Sequence, residues 1–165
     1  MLIKAKKIIV DTDRKRQLFD LTDEVKRFVI ESGVWNGIGA VSTLHTTTGL
    51  FFTEVQDALW DDVDKFLQKI VDDRIGYKHN DPRFSDCDRA NAAAHLRAIL
   101  LGGSLALQVE EGRLVLGQFQ RIIFAELDGP RSRSIRMQFM GENGAGSHSW
   151  DASDRLSLAR EEGLQ

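Results

Sequence analysis

The stretch LALQVEEGRLVLGQFQRIIFAELDGPRSRSIRMQFM, Leu105 to Met140, decides the fold class. It reads as a run of strands separated by turn residues. Leu105 to Val109 is the first strand. Glu110 to Arg113 is a turn carrying Gly112. Leu114 to Leu116 leads into a long strand, Gln118 to Leu127. The turn Asp128, Gly129, Pro130, Arg131 opens onto Ile135 to Met140. There Ile135, Met137 and Phe139 alternate with Arg136 and Gln138, the pattern of a strand with one buried and one wet face.

Upstream, helices alternate with strands. Leu2 to Val10 is rich in β-branched residues, and Gln17 to Leu21 is a second short strand. Thr22 offers an N-cap, Asp23 and Glu24 suit a first helical turn, and Val25, Phe28 and Val29 follow at helical spacing to a stop at Gly33. Gly37 to His45 and Leu50 to Glu54 read as strands around a Thr triplet. From Asp57, the residues Leu59, Trp60, Val63, Phe66, Leu67, Ile70 and Val71 fit one face of a helix. Residues 72 to 89 are a long polar connection, which in a compact domain points to function. Asn91 to Leu101 is an Ala-rich helix ended by Gly102 and Gly103. The expected class is therefore α+β: one domain, residues 1–142, of β-rich mixed sheets packed with about three helices. Residues 143–165 read as a polar tail with a short helix near Ala152 to Arg160.

The 165 residues carry 22 basic and 25 acidic side chains, a net charge of −3, which argues against a nucleic-acid partner. No apolar run has the length of a membrane span, and the charged residues among the first fifteen argue against a secretory signal. One cysteine, Cys87, excludes an internal disulfide and suits a reducing compartment, so a cytoplasmic location is expected.

Three of the four histidines stand out. His45 ends a strand, His79 lies in the long connection, and His95 sits on the Ala-rich helix four residues after Asn91. The alanines beside His95 leave room for a ligand. No pair has the spacing of a metal motif, so three separately bonded histidines remain the simpler account from spacing alone. Glu54 and Glu126 follow apolar strand residues, and a carboxylate there needs a partner or a polar pocket. Period-2 geometry groups Gln118, Gln120 and Glu126 with Ile122 and Phe124 on one face. Arg97, Arg131 and Arg133 could meet phosphate, and Gly102, Gly103 and Ser104 could offer backbone N–H groups, although a helix C-terminus has the wrong dipole for an anion.

Four blocks carry a resemblance over most of the chain: HTTTGLFFTEVQD (His45 to Asp57), YKHN (Tyr77 to Asn80), NAAAHLRAILLGGSL (Asn91 to Leu105) and GRLVLGQFQRIIFAELDGPRSR (Gly112 to Arg133). In this order they resemble the YjbQ-like family, often labelled secondary thiamine-phosphate synthase. Departures are Thr53 and Val55 around Glu54, Ala58 after Asp57, and Phe119 before Gln120.

The resemblance implies a small-molecule enzyme that couples a pyrimidine pyrophosphate to a thiazole phosphate, as a weak or secondary activity. It implies that His45, His79 and His95 converge on one pocket and hold a divalent metal ion, zinc or magnesium, or a phosphate, and it groups them as catalytic with Glu54 and Glu126. Asn91, Gln120, Arg97, Ser104 and Arg131 are the expected substrate-binding residues. A homotrimer is implied as well. Two alternatives stay open: a non-catalytic metal- or small-ligand-binding oligomer, and a metal-assisted hydrolase of a phosphorylated metabolite.

Overall fold

The computed structural model describes residues 1–144; the polar segment beyond, with His148 and the helix expected near Ala152 to Arg160, lies outside the described residues. Eight strands and three α-helices follow one another as β1 (Leu2–Asp11), β2 (Gln17–Asp20), α1 (Thr22–Ser32), β3 (Val34–Thr43), β4 (Thr48–Thr53), α2 (Asp57–Ile70), α3 (Ala92–Leu101), β5 (Ser104–Glu110), β6 (Arg113–Leu114), β7 (Arg121–Glu126) and β8 (Ser132–Asn143). One 3-10 turn, Lys78–Asn80, interrupts the long connection. The α+β class is as expected, and the arrangement is two antiparallel sheets. One has the order β1-β8-β3-β5-β6, the other β2-β7-β4.

Alternation places the layers. On β8, Ile135, Met137 and Phe139 are fully buried and face Ile122 and Phe124 of β7 and Leu50 of β4 in one core. Val25, Phe28 and Val29 of α1 enter the same core. The opposite face of the small sheet, with Ala125, Phe51 and Leu18, packs against Leu67 of α2 and Ala94 and Ala98 of α3. The small sheet is thus the middle layer. Burying a Phe or Ile side chain here contributes about 1.5–3 kcal/mol. The outer face of the large sheet carries Ile38, Ala40, Ser42, Arg136, Gln138 and Met140 around an open groove of about 350 Å³.

Several boundaries differ from the sequence reading, each for a local reason. Thr22 is the first residue of α1 rather than its cap; its N–H and hydroxyl both donate to Asp20 Oδ1, at 2.9 and 2.6 Å. Gly33 ends the helix as expected, at φ 72°, where a side chain would be strained. The strand expected over 118–127 begins only at Arg121, because Gln120 folds back: its N–H bonds Gly117 O and its side-chain oxygen accepts Gly117 N–H, both at 2.9 Å. β4 stops at Thr53, so Glu54 lies outside it. The alanines of α3 are its packing face, letting the helix sit close on Ala125, and not an opening for ligand.

Burial raises the Asp20 carboxyl, but the Thr22 hydrogen bonds and Arg121 outweigh it and hold the group below its ordinary range. Its stabilising contribution is present above the unfolded carboxyl value and is lost as pH falls through the folded one. Asp20→Ala should cost about 1–2 kcal/mol near neutral pH, and the difference from the parent should shrink towards about pH 3 in paired denaturation curves.

Candidate functional site

The turn after β7 and the start of β8 are pinned before any ligand is considered. Gly129 presses on the first loop; a Cβ there would meet Arg14 O at 2.3 Å, and its N–H bonds Lys15 O at 2.9 Å. The Gly129–Pro130 peptide is cis. Thr12 accepts the Arg131 N–H at 2.8 Å. Beneath this turn lies a buried ion pair. Arg133 donates from Nε and Nη2 to the two oxygens of Glu126, at 2.5 and 2.6 Å, with the side chains 3% and 0% exposed. Glu126 also accepts the Leu127 and Asp128 amides at 2.9 and 2.8 Å and the Thr12 hydroxyl at 3.2 Å. With five donors around it, the carboxylate has no open edge towards a substrate. Ile122 and Phe124, grouped with it on one strand face, are core residues.

A hydrogen-bonded chain leads outward from this pair. Asp128, whose amide Glu126 holds, accepts Asn91 Nδ2 at 2.8 Å and Arg89 Nε at 3.2 Å. That contact orients the Asn91 amide, so its oxygen faces His79 Nε2 at 3.2 Å. His79 therefore donates from Nε2, and its Nδ1 is left to accept the Ser85 hydroxyl, 3.5 Å away. Asn80, next along, accepts the Ala92 N–H at 2.9 Å and so caps α3 from the loop. His95 stands edge-on to His79, ring centroids 5.1 Å apart at 89°. Among the described residues, neither ring nitrogen of His95 has a hydrogen-bond partner. His45 is not hydrogen-bonded into this chain among the described residues; its Nε2 accepts the Ser134 N–H at 2.8 Å, beside Arg133.

Arg131 borders the same carboxylate. Its Nη2 lies 3.8 Å from Asp128 Oδ2, and its Nε and Nη2 are buried without a hydrogen-bond partner among the described residues. The fork offers these two donors to an anionic acceptor. Three guanidiniums (Arg89, Arg131, Arg133) face two carboxylates (Glu126, Asp128) here, which leaves one positive charge in excess before any histidine is protonated.

The other expected site residues are placed elsewhere. Glu54 is exposed beyond β4, its carbonyl accepting Trp60 Nε1 at 3.2 Å. Gln120 is exposed in the turn before β7. Ser104 is exposed at the start of β5, paired with Ser42. Arg97 is 1% exposed and satisfies the end of α2: Nη2 donates to Val71 O at 2.6 Å and to Asp73 at 2.9 Å. A cation there complements the carbonyl end of a helix, a structural task. Thr12, Thr47, Ser85 and Arg89 escaped the sequence reading; Thr47 accepts Arg133 Nη2 at 3.1 Å. Thr12, Ser85 and Arg89 are single polar residues in loops, and Thr47 belongs to the Thr triplet; no spacing marks any of them as part of a site.

A divalent ion held by His45, His79 and His95 does not fit this arrangement. His45 Nε2 and His79 Nε2 are both engaged with protein groups. Among the described residues no three His, Cys, Asp or Glu side chains gather closely enough to hold a metal ion. Cys87 shares Asn91 Oδ1 with His79, its Sγ 3.9 Å away.

Fold and site together define an α+β domain with a polar network of histidine, amide, carboxylate and guanidinium at one end of the small sheet. The UPF0047 protein YjbQ-like family model matches residues 6–142, and the chain belongs to that family. It is 42% identical over 128 residues to a UPF0047 protein of Archaeoglobus fulgidus, covering 78% of this chain and 94% of the relative. It is 34% identical over 136 residues to the UPF0047 protein YugU of Bacillus subtilis, covering 82% and 98%. A crystal structure of a YbjQ-like protein from Sulfolobus solfataricus superposes with a TM-score of 0.79 at 35% identity, covering 85% of this chain and 98% of that one. No helix among the described residues is long and apolar enough to cross a membrane.

Proposed function

We propose that this chain is a small-molecule enzyme acting on a phosphorylated substrate, with His95 as the proton-transfer group. The observation that supports it is the contrast among the ring nitrogens. Those of His79 and the Nε2 of His45 are near protein partners, while both of His95 are left to a ligand. A neutral imidazole can take a proton and an imidazolium can give one. Arg89 and Arg131 would offset the charge of the anion, and Asp128 and Asn91 hold them and His79 in position.

The specific reaction we propose is the thiamine-phosphate synthase coupling that the family label implies. The thiazole nitrogen attacks the methylene of the pyrimidine pyrophosphate, and the C–O bond breaks with its electron pair leaving on pyrophosphate. His95, as imidazolium, gives its proton to the departing oxygen, and the guanidiniums balance the remaining charge. The test is to incubate purified protein with both substrates and follow pyrophosphate release, with phosphate-ester hydrolysis as a parallel arm. Turnover in the first arm supports the coupling; hydrolysis alone moves the chain to a hydrolase. No turnover in either arm overturns the enzyme reading in favour of a ligand-binding protein.

We also propose a homotrimer. On α3, Leu96, Ile99 and Leu100 are 38%, 75% and 55% exposed on the turns around His95. An apolar row beside a polar site suits subunit contact. Light scattering at micromolar concentration should give about three times the 18.6 kDa chain mass; a monomer mass refutes it.

A further inference from the structure

His45 has a role that the reaction above does not use. It lies in the turn between β3 and β4, just past the last β3–β8 pair, Thr43 with Ile135. There the backbone still holds on: Leu44 N–H bonds Ser134 O at 3.1 Å. The return bond goes to a side chain, because Ser134 N–H donates to His45 Nε2 at 2.8 Å. The imidazole stands where a longer ladder would offer a carbonyl.

This contact settles where the ring proton sits. A nitrogen that accepts an amide proton carries none itself, so the hydrogen of a neutral ring is on Nδ1. Protonating the ring would set an N–H against the Ser134 N–H. Two groups face it from the neighbouring strands, Arg133 on β8 and Glu126 on β7. Burial first, then the Arg133 guanidinium, pushes the His45 pKa down, and Glu126 only partly opposes them. Among the described residues Nδ1 has no hydrogen-bond partner.

We infer that His45 is locked as the neutral Nδ1–H tautomer and meets a bound phosphate-bearing ligand only as a hydrogen-bond donor, never as a base or as a metal ligand through Nε2. The ligand half of this rests on the proposed function; the tautomer half does not. A fixed donor gives a phosphate oxygen a partner that needs no proton transfer to form.

Long-range 1H–15N correlation of the imidazoles in ligand-free protein tests the tautomer, with the His45 signals assigned by their loss in His45→Gln. A protonated Nδ1 and bare Nε2 near pH 7, titrating below free histidine, is expected. An Nε2–H tautomer or an imidazolium near pH 7 overturns the inference whatever the enzyme does. The donor role is tested by titrating inorganic phosphate into the parent and into His45→Gln. The Gln side-chain oxygen reaches the place of Nε2 and keeps an acceptor for Ser134, but no Nδ1–H remains. About tenfold weaker phosphate binding at an unchanged melting temperature supports the donor role. Equal binding by both chains overturns it, leaving His45 a cap for the strand. If the parent takes up no phosphate, the donor role falls together with the anion reading, while the tautomer stands or falls on the first measurement.

Discussion

Glu126→Gln unfolds well below the parent, by about 3–5 kcal/mol in denaturant, or roughly 10 °C in melting temperature. The replacement keeps the shape of the side chain and removes its charge. Arg133, 3% exposed, is then left without a counter-ion in a place water does not reach. The amide also brings an NH2 group against donors that now meet an oxygen: Arg133 Nε and the Thr12 hydroxyl at Oε2, and Arg133 Nη2 with the Leu127 and Asp128 N–H groups at Oε1. Whichever way it turns, a donor is buried unpaired. If Glu126 were instead the proton-transfer group, the variant would keep its stability and lose only turnover. Equilibrium unfolding of the two chains side by side separates these outcomes.

His95→Ala behaves in the opposite way. Turnover of the phosphorylated substrates should fall by at least about a hundredfold, the scale of a positioned acid–base group. Stability should change little, because the ring is half-buried and its contact is the edge of His79. Circular dichroism and a melting curve give the control, and the coupling assay gives the effect. His95→Gln should be as inactive as His95→Ala, since an amide fills the space without exchanging a proton. Full activity in either variant removes His95 from the chemistry and leaves the proposed site without an acid.

Much of the fold was legible in alternation, and part of the site was legible in the same signal, unread. On β8 the parity that buries Ile135, Met137 and Phe139 also turns Arg133 inward. On β7 the parity of Ile122 and Phe124 turns Glu126 inward. Two opposite charges on inward positions of two strands imply a buried ion pair, which is a stronger statement than a polar pocket. Arg97 was legible too: on α3 it shares a face with Ala93, Ala94 and Ala98, all buried, so it had to satisfy something internal. What could not be read was contact between distant loops. Nothing in the spacing of His79, Asn91 and Asp128 says that one amide bridges an imidazole and a carboxylate. Nor does the run Gly117 to Gln120 announce a turn that removes Gln120 from its strand, because local hydrogen bonds there compete with pairing.

The order of strands constrains how the chain assembles as it is made. Among the described residues, β1 pairs only with β8, and β2 and β4 pair only with β7. β7 and β8, the partners these earlier strands need, are thus made after them. At about 5–20 residues per second, β1 waits roughly 6 to 24 seconds for its neighbour. Until then Ile3, Ile8, Ile9 and Val10 form an edge with nothing beside it, alongside the lysines Lys4, Lys6 and Lys7. Those charges discourage pairing with a stray strand during the wait. β1 is still the edge of the large described sheet in the finished fold, so the lysines that shield the nascent strand go on guarding that edge, with Lys6 also pairing Glu31.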